Sequence, residues 1–219
     1  MSRLPEPIHI NIDPSDFDSF RLYDRHNFFY DNYKEGNILD IGNIGGVFGK
    51  GKISKFHLQV KDKIESSSNL YGFDLYPPEN PAEYNLQKTG NLEEGLPYED
   101  SFFDTIYLGQ VLEHLGNPNI ALLEIKRVLK SDGIFIMDIP NPYSLARILK
   151  YLFKRKESLG NVTHLIFYTP ASLKSLLYNA GFNLVKMNTR LSTKFKLIPF
   201  VFIKGLGPHI CVTATKVNN

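Results

Sequence analysis

Short apolar, β-branched runs alternate with stretches of helical character along most of the chain, and this alternation restricts the fold more than any other feature. The runs are Ile38–Ile41, Leu70–Asp74, Thr105–Leu108, Ile134–Ile139, Leu184–Met187 and Ile210–Ala214. Strands that alternate with helices form βαβ units, which build a mostly parallel sheet with helices on both faces. Only an irregular segment containing proline and glycine separates the last two runs, which predicts a terminal antiparallel hairpin.

Helix start and stop signals lie between the runs. The clearest segment is "NPNIALLEIKRVLKSDG", where Asn117 is a cap, Pro118 suits the first turn and Gly133 is a stop. Further helices are predicted at 13–35, 144–155 and 170–179. We therefore expect an N-terminal helical cap over residues 1–36, followed by one α/β domain over residues 37–219.

Size and composition exclude several classes of protein. A chain of 219 residues suits one domain, and its single cysteine, Cys211, rules out an intrachain disulfide and a cysteine-based zinc site. A net charge of +2 gives no argument for nucleic acid binding. The opening "MSRLPEPIHI" has no apolar signal-peptide core, and no apolar run approaches the roughly 20 residues that cross a bilayer. We expect a cytoplasmic protein without a transmembrane segment.

Glycines follow the first predicted strand in "NILDIGNIGG", at the edge where open parallel sheets bind ligands. Gly42, Gly45 and Gly46 allow a ligand to approach the backbone. The second strand, in "LYGFDLYPP", ends at Asp74, whose carboxylate could accept both hydroxyls of a ribose. Each feature has an ordinary explanation when it is considered alone. The glycines could form a tight turn, and Asp74 could simply be the last residue of a strand.

Three later segments make the pattern specific: "GNLEEGLPYEDSFFDTIYLGQVLEHL", "LLEIKRVLKSDGIFIMDIPNP" and "HLIFYTPASLKSLLYNAGF". With them, residues 37 to about 187 resemble the class I S-adenosylmethionine-dependent methyltransferases, especially the broad small-molecule group. The resemblance implies a Rossmann-like, mostly parallel seven-stranded sheet with helices on both faces and a C-terminal antiparallel hairpin. It also implies S-adenosyl-L-methionine as cofactor and a small-molecule acceptor with an oxygen or nitrogen nucleophile, a sugar or lipid-linked intermediate being one option.

The resemblance carries over to individual cofactor-binding positions. It places the methionine end of the cofactor at the first strand and its loop, the ribose at the end of the second strand, the adenine at residues 91–92 and the methyl donor at the end of the fourth strand. The implied residues, in that order, are Asp40, Gly42, Asn43 and Gly45; Asp74 and Leu75; Asn91 and Leu92; and Leu108 and Gln110.

Ile44 departs from the family pattern, because it stands where the middle glycine of the loop is expected. A β-branched residue resists positive φ, so we expect Gly45 to take the special conformation and the Ile44 side chain to enter the core. A non-catalytic relative that has lost the cofactor is the alternative. An RNA or protein methyltransferase is another, whereas a nicotinamide oxidoreductase is disfavoured because no G-x-G-x-x-G is present.

Two histidines are predicted to be catalytic, because a base assists methyl transfer to a hydroxyl. His114 lies in "VLEHLGNP" and His164 in "NVTHLIFYTP"; local capping or packing is the alternative for both. Glu113 is predicted to make a structural hydrogen bond or salt bridge. We predict no metal, since no two histidines have helical ligand spacing.

A basic and apolar segment, "SLARILKYLFKRK", lies between the fifth strand and His164. Amphipathic basic segments face a core, a lipid surface or an anionic ligand. We predict that residues 143–169 form a substrate lid whose apolar face covers the acceptor and whose basic residues attract an anionic group on it. The oligomeric state cannot be read from the sequence.

Overall fold

A seven-stranded sheet forms the centre of the protein in a computed structural model that describes residues 10–12, 17, 25–45, 51–155, 163–190 and 205–217. Its strands run in the order β3-β2-β1-β4-β5-β7-β6. Their bounds are β1 Asn37–Ile41, β2 Asn69–Asp74, β3 Gln87–Thr89, β4 Phe103–Gly109, β5 Leu129–Pro140, β6 Phe182–Arg190 and β7 His209–Lys216. The first five are parallel, and β7 lies antiparallel between β5 and β6. The predicted fold, with its terminal hairpin, is confirmed.

Helices in the described part of the chain are α1 Arg25–Tyr30, α2 Lys55–Lys61, α3 Pro118–Val128, α4 Leu145–Lys154 and α5 Pro170–Asn179, with short 3₁₀ turns at Pro81–Glu83 and Leu112–His114. The Asn117 side chain caps α3 as predicted, because its oxygen accepts the Ile120 N–H at 3.4 Å. Thr169 caps α5 in the same way through the Ser172 N–H, at 3.1 Å. No helix among these residues is long and apolar enough to cross a bilayer.

The structure corrects two predicted helix boundaries and adds one strand. Helix α3 ends at Val128 and not near Gly133, because Leu129 is fully buried and begins β5. The helix predicted over residues 13–35 is only α1 within the described residues, and residues 13–16 and 18–24 lie outside them. Strand β3 was missed, because an edge strand of three polar residues carries no apolar run.

Both faces of the sheet are covered, which explains why its central strands read as continuous apolar runs. Every residue of β4 is buried. Alternate side chains of β1 enter opposite cores: Leu39 joins the larger cluster, and Ile38 joins the cluster that contains Phe28 and Phe56 of α1 and α2. Asp40 therefore points to the same face as Ile38.

The carboxyl ends of the parallel strands lie at one edge of the sheet. From β1 the chain proceeds outward to β2 and β3, and then returns to β4 on the other side of β1. In open α/β sheets, such a reversal of strand order forms a ligand-binding crevice outside the strand ends, which here is the position beyond β1 and β4. Gly42, Leu75 and Gln110 each follow directly after one of the strands β1, β2 and β4.

Candidate functional site

The loop after β1 is held against the end of β2 by its backbone. Gly42 has a φ of +80°, and its N–H donates to the Phe73 carbonyl at 2.8 Å. The Ile44 N–H donates to Asp74 Oδ2 at 2.8 Å, while the Ile44 side chain is buried in the core, as expected. The prediction that Gly45 takes the special conformation was wrong. Gly42 makes the left-handed turn earlier in the loop, so Ile44 needs no positive φ.

We expect the substitution Gly42→Ala to lower the free energy of unfolding by about 2–4 kcal/mol, since a left-handed φ and a steric clash both oppose the new methyl group. A Cβ at Gly42 would lie 2.2 Å from Val111 Cγ2. Denaturant unfolding measures the loss. Gly45→Ala is the matched control, because Gly45 is exposed and has no positive φ; its effect should stay within about 0.5 kcal/mol. Equal losses in the two variants would contradict this account of the loop.

Buried side chains fix the same loop to α2 and β3. Asp40 Oδ2 lies 2.9 Å from His57 Nδ1, and both residues are buried. The Asn43 amide exchanges two hydrogen bonds with the Gln87 amide, at 2.6 and 3.1 Å. The side chains of Asp40 and Asn43 thus contact protein groups, and their cofactor roles stay predictions. Neither His57 nor Gln87 could be identified from the sequence, because neither belongs to a motif or has an informative spacing.

The Asp74 carboxylate lies at the end of β2 and can accept more hydrogen bonds than the protein supplies. Oδ2 accepts the Ile44 N–H, and Oδ1 accepts the Tyr76 N–H at 3.0 Å. A carboxylate offers about four lone-pair positions, so these two backbone bonds leave room for two hydroxyl donors. Burial raises the pKa of Asp74. Leu75, the next residue, exposes 58% of its surface at this edge.

The two residues predicted to contact the adenine, Asn91 and Leu92, follow β3 in the chain. Asn91 Oδ1 accepts the Glu93 N–H at 3.0 Å, and its Nδ2 donates to Glu94 Oε1 at 3.2 Å. Both hydrogen bonds of the Asn91 side chain are therefore made within the turn that contains it. Leu92 is buried in the main core cluster. The structure places both residues beside the end of β2, since the Gly90 N–H donates to the Asp74 carbonyl at 3.0 Å.

Gln110, at the end of β4, has an unusual backbone. Its φ is +58°, a left-handed conformation that costs a non-glycine residue about 1–3 kcal/mol and that also occurs at Ser101 and Arg155. Asp138 holds it there: the Gln110 N–H donates to the Asp138 carbonyl, and its Nε2 donates to Asp138 Oδ2, both at 2.9 Å. Leu108, two residues earlier, is fully buried in the sheet.

Tyr107 and Arg25 contact the Asp138 carboxylate and hold it in place. The Asp138 carboxylate accepts the Tyr107 hydroxyl, and its Oδ1 lies 3.3 Å from Arg25 Nε. Arg25 also lies over the Phe56 ring, 4.6 Å from its centre. Sequence reasoning missed Arg25 and Asp138. Arg25 lay inside a segment interpreted only as a helix, and Asp138 lay inside an apolar strand.

The two histidines predicted to be catalytic lie together. Their ring centres are 4.8 Å apart at an angle of 70°. His114 Nδ1 lies 2.9 Å from the Thr163 carbonyl oxygen, and the N–H groups of Leu165 and Ile166 donate to the Glu113 carbonyl at 2.8 and 3.3 Å. Because a carbonyl only accepts, Nδ1 of His114 carries a proton, and in the neutral imidazole the lone pair is on Nε2.

The Glu113 side chain does not form the predicted hydrogen bond or salt bridge with any residue that the structure describes. Its side chain is 1% exposed, and neither carboxylate oxygen has a hydrogen-bond partner within the described ranges. Burial raises its pKa to about 8. The Tyr168 hydroxyl is also buried without a partner among these residues. The expected structural bond of the Glu113 side chain is therefore not observed there, and only its backbone carbonyl ties the segments together.

The structure also contains a cleft of about 400 Å³ between α2 and the outer strands β2 and β3. Its lining includes Lys61, Tyr84 and, from the first part of β2, Asn69 and Leu70. His57 and Gln87 also line it, and because they contact Asp40 and Asn43, the cleft borders the residues that hold the loop after β1. Gly42, Asp74 and Gln110 are not among its described lining residues.

Comparison with known proteins gives a consistent family. A family model described as a methyltransferase domain matches residues 19–187. An uncharacterised protein of Methanocaldococcus jannaschii is 31% identical over 149 residues, which cover 58% of this chain and 59% of that protein. The demethylmenaquinone methyltransferase of Staphylococcus epidermidis is 29% identical over 152 residues, or 58% of this chain and 62% of the relative. The chain thus matches less than two thirds of the length of these relatives.

A solved structure has the same fold. It comes from Thermotoga maritima and is described as an S-adenosylmethionine-dependent methyltransferase and possible histamine N-methyltransferase. The TM-score is 0.59 at 24% identity, and the match covers 85% of this chain and 85% of the other. At this identity the likeness concerns the fold alone.

Proposed function

Because the chain belongs to the methyltransferase domain family, we propose that it transfers the methyl group of S-adenosylmethionine to an oxygen or nitrogen nucleophile of a small-molecule acceptor. The observation that carries the proposal is the set of residues at the reversal of strand order. It consists of a left-handed glycine turn at Gly42, a carboxylate with spare acceptor capacity at Asp74 and a left-handed backbone at Gln110.

The residues at this edge fit the cofactor. Asp74 would accept the two ribose hydroxyls, and the backbone around Gly42 would lie against the methionine part. When bound, S-adenosylmethionine supplies an activated methyl group and its own leaving group. The protein then has to hold the nucleophile in line with the methyl carbon, and such positioning can lower the barrier by roughly 7–11 kcal/mol.

The histidine pair would form the acceptor side of the site. The Leu112–His114 turn begins two residues after Gln110, so His114 lies close to the proposed position of the methyl donor. The lone pair of its Nε2 could accept the proton that a hydroxyl acceptor loses as the methyl group is transferred, or the proton that an amine acceptor loses after the transfer. His164 lies beside it and would orient the acceptor.

Helix α4 is connected to the histidine pair and carries an exposed apolar face. Arg147 of α4 lies 4.6 Å from the centre of the Phe167 ring, and that ring is 6.0 Å from the His164 ring. Leu149, Leu152 and Phe153 expose 41%, 54% and 81% of their surfaces. These contacts support the lid proposed for residues 143–169, of which residues 156–162 lie outside the described ranges.

We expect Phe153→Ser to raise KM for the acceptor about tenfold or more without changing KM for S-adenosylmethionine, since burying a phenylalanine contributes about 1.5–3 kcal/mol. Steady-state kinetics measure both constants. Tyr178→Ser on α5 is the matched control, because Tyr178 is an exposed aromatic residue outside the site. Unchanged acceptor kinetics together with reduced sedimentation on anionic lipid vesicles would show that α4 rests on a membrane surface instead.

Methyl transfer itself is tested with S-adenosylmethionine carrying a labelled methyl group. The protein is incubated with separate pools of phenols, quinols, amines, carboxylates and sugars, and in parallel with RNA and protein. Label in a small-molecule pool supports the proposal. Label only in RNA or protein would assign a macromolecular acceptor, and a protein that binds no S-adenosylhomocysteine in calorimetry would be a non-catalytic member of the family.

A further inference from the structure

Glu113, His114 and His164 form a compact group of potential metal ligands. One ligand atom from each lies within 4.8 Å of the others. Ligands about 2.0–2.2 Å from one ion are at most about 4.4 Å apart, so small side-chain rotations would bring all three onto a single ion.

Glu113 supplies an independent reason to expect a cation. Its side chain is 1% exposed, and both oxygens lack a hydrogen-bond partner within the residues that the structure describes. A buried carboxyl group without hydrogen bonds either keeps its proton or needs a positive charge beside it. A metal ion between Glu113 and the imidazoles would provide that charge.

His114 is already oriented as metal-binding histidines usually are. Its Nδ1 donates to the Thr163 carbonyl, which leaves the Nε2 lone pair for a ligand. A hydrogen bond from the second ring nitrogen to a carbonyl is typical of imidazoles that coordinate metals. The backbone bonds from Leu165 and Ile166 to Glu113 hold His164 against the same turn.

We propose that Glu113, His114 and His164 bind one divalent first-row transition-metal ion. Imidazole nitrogens suit zinc, iron, nickel and copper, and two histidines with one carboxylate leave coordination positions open. The site lies beside the acceptor side of the crevice. An acceptor hydroxyl at an open position would release its proton to solvent more easily, because the metal stabilises the oxygen anion that remains. With a metal bound, the histidine nitrogens hold the ion; without one, Nε2 of His114 would accept the proton itself. This departs from the sequence-based prediction of no metal.

Metal binding is measured directly, without methyl donor or acceptor. Wild-type protein freed of metal with a chelator and titrated with Zn²⁺ should bind one ion, and Co²⁺ should give a visible absorption spectrum typical of nitrogen and oxygen ligands. Glu113→Gln and His164→Ala should each weaken Zn²⁺ binding at least about tenfold. Asp132→Asn is the control, since it removes an exposed carboxylate elsewhere. Unchanged binding in folded Glu113→Gln and His164→Ala would overturn the proposal.

A crystal of the wild-type protein soaked with Zn²⁺ gives an answer that does not depend on variants. Anomalous density within bonding distance of the three side chains is expected, and density only elsewhere, or none, would overturn the site. The inference concerns the acceptor side of the proposed methyltransferase but does not require it. A protein that binds zinc here without transferring methyl groups would contradict the proposed function alone. Full methyl transfer after chelation would remove the metal from the reaction and favour direct base catalysis.

Discussion

Exchanging His114 for alanine should lower kcat for methyl transfer by about 10²–10⁴-fold and leave the dissociation constant of S-adenosylhomocysteine within about twofold. The size follows from the usual contribution of a positioned acid or base. His114 lies on the acceptor side of the proposed site, whereas the cofactor would contact Gly42, Asp74 and Gln110. Single-turnover rates with a labelled methyl donor and calorimetry with S-adenosylhomocysteine measure the two quantities separately.

His114→Asn distinguishes this role from a structural one. The asparagine amide can replace Nδ1 and keep the hydrogen bond to the Thr163 carbonyl, but it has nothing at the position of Nε2. If Nε2 takes part in the reaction, His114→Asn should be as slow as His114→Ala. Recovery of most of the wild-type rate in the asparagine variant would show that His114 only fastens the segment around Thr163.

The second large effect is expected at Asp74. Asp74→Ala should weaken S-adenosylhomocysteine binding by about 1.5–3 kcal/mol, a factor of roughly 10–150 in the dissociation constant, because hydrogen bonds to a charged group are lost. Calorimetry measures the change, and a folded variant with wild-type affinity would remove Asp74 from the site.

Asp74 also accepts the Ile44 N–H, so the variant could act through the loop instead of the ribose. An analogue of S-adenosylhomocysteine without the 2′-hydroxyl separates the two causes. Wild-type protein should bind the analogue several-fold more weakly than the parent compound, whereas Asp74→Ala should hardly distinguish them. If the variant keeps the full preference for the hydroxyl, Asp74 supports the loop and does not bind the ribose.

The fold was predictable because its signals are local. The central strands are covered on both faces and therefore appear as apolar runs, and Asn117 and Thr169 mark helix starts through hydrogen bonds to residues only three positions away. Strand β3 could not be predicted from local signals, because it is defined by its pairing with β2 and not by its amino-acid composition. Gly42 shows the same limit within the loop. Three glycines could make the left-handed turn, and the sequence does not reveal that Gly42, whose N–H is bonded to the Phe73 carbonyl, makes it.

The site was predictable only where a family motif marked it. His114 and His164 were identified from their segments, yet their proximity depends on backbone bonds between Glu113 and residues 165–166. The contacts that hold Gln110 in place were not predicted, because the residues that make them, Arg25, Tyr107 and Asp138, are far apart in sequence. Arg25 and Tyr107 are separated by 82 residues. Such buried polar contacts follow from the folded arrangement and have no periodic pattern.

A crystal structure of the protein with S-adenosylhomocysteine tests the central claim most directly, namely that the crevice between the ends of β1, β2 and β4 is the methyl-donor site. We predict the ribose hydroxyls at about 3 Å from the Asp74 carboxylate, the homocysteine part against the backbone at Gly42, and the sulfur directed toward His114. A complex in which the ligand binds elsewhere, or a crevice that stays closed by the Ile44 loop at saturating ligand, would contradict the account.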